Sequence, residues 1–94
     1  MREYDILFIM KPHLAEDVYS SIVESFEKWI TDNEGEIDLL NAAGIKDLAS
    51  TLSGFDQGYY VHCQFKGTNK TIDEINKRMK VNETIFRHLL VTLD

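Results

Sequence analysis

The hydrophobic period of this chain switches from two to three-and-four and back again, and does so twice, which restricts the fold to a sheet with helices interleaved between its strands. Arg2 to Met10 sets Tyr4, Ile6, Phe8 and Met10 against Asp5, Leu7 and Ile9, so both faces become apolar after Asp5. That is the pattern of a central strand covered on one side and partly on the other. Lys11-Pro12-His13 ends it. From Ala15 to about Asn33, Val18, Ile22, Phe26, Trp29 and Ile30 recur at steps of three and four, the stripe of an amphipathic helix, with Glu34-Gly35 as its stop.

Glu36 to Asn41 reads as a short edge strand carrying Ile37, Leu39 and Leu40, leading into a break at Ala42-Ala43-Gly44. Lys46 to Thr51 is a further extended segment anchored by Leu48. A polar turn, Ser53 to Gly58, follows, with Gly58 expected to supply a positive φ. Tyr59 to Phe65 then alternates cleanly: Tyr59, Val61, Cys63 and Phe65 share one face, Tyr60, His62 and Gln64 the other. Thr71-Ile72-Asp73-Glu74 has the form of a capping box opening a second helix whose core stripe is Ile72, Ile75 and Met79. Thr84 to Leu93, β-branched and aliphatic apart from Arg87-His88, is the last strand. The order β-α-β-β-α-β with right-handed crossovers predicts an α+β ferredoxin-like split βαβ sandwich, a four-stranded antiparallel sheet with both helices on one face. Residues 1–94 are expected to form one domain, with the second sheet face open and both edge strands unpaired.

Composition agrees with a small single core: 44% of 94 residues are apolar and the single cysteine, Cys63, has no partner for an intramolecular disulfide. No stretch has the form of a secretory signal, and the longest apolar run, Ile6 to Met10, falls far short of the roughly 18 residues of a membrane-spanning helix. A soluble protein of the reducing cytoplasm is expected, without membrane association. A net charge of −6 argues against a general nucleic-acid binder, but the charge is unevenly placed. Residues 1–44 hold three basic and ten acidic side chains, residues 45–94 seven basic and six acidic, so a locally basic face is available in the second half.

Catalytic constellations are missing. His62 and Cys63 are adjacent in a strand and point to opposite faces, as a surface imidazole and a core thiol rather than as metal ligands. His13 and His88 have no neighbour in sequence that suggests a base or ligand. The link after the first strand has no glycine with which to cradle phosphate, and Glu16, Asp17, Glu24 and Glu27 suit the solvated face of the first helix. No cofactor, metal or small-molecule substrate is expected.

Met1-Arg2-Glu3-Tyr4-Asp5-Ile6-Leu7-Phe8-Ile9, Pro12, Gly44-x-Lys46-x-Leu48-Ala49, Gly58-Tyr59-Tyr60 and Arg87-x-Leu89-Leu90-Val91 resemble, in order and spacing, the bacterial small-subunit ribosomal protein S-six family over essentially the whole chain. The resemblance implies a ferredoxin-like, non-enzymatic constituent of the small ribosomal subunit. It would bind the central domain of small-subunit ribosomal RNA together with ribosomal protein eighteen. The RNA-facing positions it implies are Arg2, Lys46, Lys80 and Arg87. Of these Arg87 stands out, because a cation within an apolar strand needs a partner or an exposed face to offset desolvation. Tyr60 and His62 offer a surface either for stacking on bases or for packing against a partner protein.

Departures from the family pattern concentrate in one segment. Ser50-Thr51 stand where Tyr-Pro is usual, Ala43 where a large apolar residue is common, Asp47 where the residue is basic or neutral, and Gly54 where lysine is frequent. Members often carry a charged tail after the last strand, whereas this sequence ends at Asp94. The alternative reading keeps the fold and uses an exposed sheet edge to associate with protein, without RNA. Convergence of Arg2, Lys46, Lys80 and Arg87 on one face is what the RNA reading requires of the structure.

Overall fold

The computed structural model describes residues 1–52 and 54–93; Ser53, assigned above to the polar turn, lies outside them. The elements are β1 (Arg2–Met10), α1 (Glu16–Thr31), β2 (Glu36–Leu52), β3 (Phe55–Gly67), α2 (Asn69–Val81) and β4 (Ile85–Thr92). They build one four-stranded sheet in the order β2-β3-β1-β4, with every neighbouring pair antiparallel. This is the ferredoxin-like sandwich that the period-switching predicts.

The sheet face under the helices holds the core. Tyr4, Ile6, Phe8 and Met10 of β1 and Tyr59, Val61, Cys63 and Phe65 of β3 are buried there against Phe26 and Ile30 of α1 and Ile75 and Met79 of α2. Alternation in β1 and β3 therefore translates directly into two layers, because successive side chains leave a strand on opposite sides. The stripe of α1 follows expectation at Phe26 and Ile30, with Ile22 and Trp29 packed against the core, and departs from it only in the first turn. Tyr19 is buried, stacking on Tyr59 with ring centroids 3.8 Å apart, whereas Val18 remains 39% exposed. The Tyr19 hydroxyl donates to the Lys11 carbonyl and accepts from the Leu14 N–H at 3.2 Å. A polar tip thus closes the link after β1, which the hydrophobic count alone passes over.

Three local expectations are corrected. First, Glu36 to Leu52 is one continuous strand rather than two segments: the break at Ala42-Ala43-Gly44 is a register irregularity, with Gly44 at φ +87, that bends β2 without ending its pairing to β3. Second, β3 begins at Phe55, and the left-handed backbone of the hairpin turn falls on Gly54 (φ +82), not on Gly58. Gly58 is needed for a different reason: a Cβ there would lie 2.4 Å from Ile9 Cγ2. Third, α2 is capped by Thr68, and Thr71 is its third residue. Gly67, where a Cβ would meet Thr71 at 2.8 Å, lets the helix start against the end of β3. The Thr71 hydroxyl then accepts from the Thr68 N–H (3.0 Å) and donates to the Asn33 carbonyl (2.6 Å), tying the end of α1 to the start of α2.

Candidate nucleic-acid interface

With both helices on one side, the other sheet face carries the alternate residues of the strands, among them Asp5, Leu7 and Ile9 from β1, Tyr60, His62 and Gln64 from β3, and Arg87, Leu89 and Val91 from β4. None of these is fully buried, and Leu89 is 63% exposed. The apolar second side of β1 noted in the sequence is thus an uncovered surface at the middle of the sheet.

Two cations border it. Lys46 pairs with Gly58 in the β2–β3 ladder and sets its Nζ 5.9 Å from the centre of the Tyr60 ring, within cation–π range. Arg87 pairs with Ile9 on the other flank, is exposed, and makes no ion pair among the described residues. Arg87, Tyr60 and Ile9 line two adjoining depressions. One, of about 300 Å³, is completed by Leu7, His88 and Leu89; the other, of about 180 Å³, by Leu48, Ala49, Ser50 and Leu52. The second exists because the outer arm of β2 loses register after Asp47 and leans over Gly58 onto Ile9. Phe55, at the start of β3 next to that arm, meets Phe86 of β4 with ring centroids 5.4 Å apart.

His62 is bound within this face, not free at the surface: its Nε2 lies 2.6 Å from an Asp5 carboxylate oxygen, with both side chains partly exposed. Asp47 also has a structural engagement, accepting from Gln57 Nε2 at 3.1 Å across the hairpin, while Gln57 Oε1 sits 3.0 Å from the His13 ring. Burial pushes the Cys63 thiol up to about 12, with Asp5, Glu27 and Asp38 adding to the shift, so the thiol is a protonated core group. No cluster of three or more metal-ligating side chains occurs among the described residues. No described helix is long and apolar enough to cross a membrane.

The four candidate cations do not all meet. Lys46 and Arg87 share the open face around Tyr60. Lys80 ends α2 in the helical layer, next to the turn that leads into Ile85, whose partner is Met10. Arg2 pairs with Gly67 at the far end of β1, roughly 23 Å of strand from Ile9. Sequence reasoning overlooked Asp5 as the partner of His62, and Leu7, Ile9, Leu48 and Leu89 as the lining between the cations. The available signal was the apolar odd-numbered side of β1; Leu48 could not be found this way, because its placement depends on the bulged arm.

A family model for Ribosomal protein S6 matches residues 3–92. The chain belongs to the ribosomal protein S6 family. A protein named small ribosomal subunit protein bS6 from Shouchella clausii is 36% identical over 94 residues, covering all of this chain and 98% of its own length. One of the same name from Moorella thermoacetica is 31% identical, covering all of this chain and 96% of its own length. The solved structure of 30S ribosomal protein S6 from Thermotoga maritima superposes with a TM-score of 0.92 at 25% identity, over 98% of this chain and 87% of that one. Within this S6 family member, the departures read from the sequence acquire local causes. Gly54 occupies a backbone conformation that a lysine would strain, and Asp47 holds Gln57.

Proposed function

We propose that this chain is a structural constituent of the small ribosomal subunit, cytoplasmic with the ribosome and without catalytic activity. It binds the central domain of small-subunit ribosomal RNA together with ribosomal protein eighteen. Membership of the ribosomal protein S6 family, whose relatives are named as small-subunit proteins, supports the ribosomal role. The observation that carries the binding mode is the pair Lys46 and Arg87, placed on either side of Tyr60 and Ile9 on an uncovered sheet face. Two cations separated by an aromatic ring suit phosphates flanking a splayed base, the mode open to folded RNA.

The apolar remainder of the same face, Leu7, Leu89 and Val91, is suited to a protein surface rather than to phosphate, which supports a role for protein eighteen beside the RNA. Arg2 and Lys80 lie away from this centre, so the four cations do not converge as the RNA reading asked, and the reading rests on Lys46 and Arg87 alone. His62, held by Asp5, belongs to the protein-facing half, since a carboxylate repels phosphate. Gel-shift titration of central-domain RNA with this protein, with and without protein eighteen, tests the assignment. Binding that strengthens when both proteins are present is expected; no RNA binding even with protein eighteen would overturn it. Association with ribosomes that survives high salt unchanged would instead favour docking through the β4 edge, where Leu89 and Val91 are 63% and 43% exposed.

A further inference from the structure

The helical side of the molecule has a second unfilled surface, separated from the open face by the whole sheet. Between α1 and β2 runs a groove of about 300 Å³ whose floor is Tyr19, Val23, Ala42 and Tyr59, with Glu16 and Glu24 on its rim. The α1 residues in it, at positions 16, 19, 20, 23 and 24, recur at steps of three and four along the helix and so share one face. Ala42, opposite Val61 in the ladder and so on the helix-facing side of β2, contributes only a methyl group to the floor. Glu16 also acts on the floor itself: burial first, then the Glu16 charge, push the Tyr59 phenol above its usual range. Alongside the groove, β2 has a single neighbour in the sheet, β3, and so offers an unpaired backbone edge.

We propose that this groove docks an extended, basic segment of a partner polypeptide, with an aliphatic side chain on the apolar floor and a cation on each of Glu16 and Glu24. The geometry sets the spacing. Eight helical residues separate the two carboxylates by about 12 Å at 1.5 Å per residue. In an extended chain, side chains four residues apart lie on one side at about 13 Å, and the residue midway between them points the same way. The occupant therefore has the pattern cation-x-aliphatic-x-cation. An anionic or nucleic-acid occupant is disfavoured by the two carboxylates, and the small volume suits side chains of a segment rather than a folded ligand. The site is independent of the RNA-facing surface, and both can be filled at once.

The test is a titration of the isotope-labelled full chain, followed by backbone amide shifts, with two synthetic peptides in flexible Gly-Ser flanks: Lys-Ser-Leu-Ser-Lys and the equally charged Lys-Ser-Ser-Ser-Lys. Shifts centred on Val23, Ala42 and Tyr59 are expected with the first, and affinity about tenfold weaker or worse with the second, from loss of the buried leucine. Glu16→Gln with Glu24→Gln, both at exposed positions and checked for native circular dichroism, should lower affinity several-fold. Equal binding of the two peptides, shifts centred elsewhere, no binding at millimolar peptide, or unchanged affinity in the double variant would each overturn the proposal.

Discussion

Gly58→Ala is expected to damage both stability and the open face, for a reason unrelated to glycine's backbone freedom. The backbone at Gly58 is not left-handed, so an alanine meets no φ penalty. Its Cβ, however, would lie 2.4 Å from Ile9 Cγ2, roughly 1 Å inside the optimal carbon–carbon separation. The colliding methyl is attached at a β-branched carbon, where χ1 is stiff, so relief requires an unfavourable rotamer or a backbone shift. Overpacking of this kind costs about 1–3 kcal/mol, and the smaller entropy of unfolded alanine offsets about 0.4–1 of it. The net expected destabilisation is about 1–2 kcal/mol. Removing the methyl first should abolish the effect. In an Ile9→Ala background the nearest remaining neighbours of the new Cβ would be Met10 O at 3.5 Å and Leu48 Cδ2 at 3.6 Å, both ordinary contacts. Urea denaturation of the four proteins in this cycle should therefore give a coupling of at least about 1 kcal/mol, with Gly58→Ala neutral or mildly stabilising in the double variant. Additive effects, or a neutral Gly58→Ala in the native background, would refute the reasoning.

Thr71→Val, at a fully buried side chain, leaves the part-buried Thr68 N–H without its acceptor and the Asn33 carbonyl without its donor, so a loss of about 2–4 kcal/mol by denaturant unfolding is expected, with Thr71→Ser recovering most of it. Stability should fall as pH rises from about 9 toward 12. The Cys63 thiol, raised in the folded state to about 12 from an ordinary 9.0, contributes stability that is complete below the unfolded thiol's pKa and disappears as pH climbs through the folded value. Alkaline denaturation of Cys63→Ala should show a shallower slope over that window than the parent, whatever its offset in absolute stability; an identical slope would remove the thiol from the account.

Strand and helix order was legible because β1, β3 and the α1 stripe each obey one period over most of their length, and tertiary packing had only to confirm it. What remained hidden depends on contacts between distant residues. Nothing local distinguishes Val18 from Tyr19 as the core residue until Tyr59 is stacked on it. The Thr71-x-x-Glu74 pattern satisfies the capping rule, yet the close approach at Gly67 moves the cap to Thr68. The break at Gly44 reads locally as a strand end, but β3 extends far enough to keep β2 paired beyond it. In the candidate interface, Arg87 was legible as a cation set in an apolar strand. Lys46 was singled out through family spacing, and its position over Tyr60 follows from the β2–β3 register. Asp5 as the anchor of His62 joins residues 57 apart in sequence, which no window-based pattern can see.

The central claim, that Lys46 and Arg87 contact RNA phosphates on the open face, is tested most directly by the salt dependence of binding to central-domain RNA in the presence of protein eighteen. Each neutralised phosphate contributes about 0.7–0.9 to the slope of log affinity against log salt, so Lys46→Gln with Arg87→Gln should reduce that slope by about 1.4–1.8 relative to the parent protein. A slope that does not change, even with weaker binding, would mean that neither cation meets a phosphate and would contradict the account.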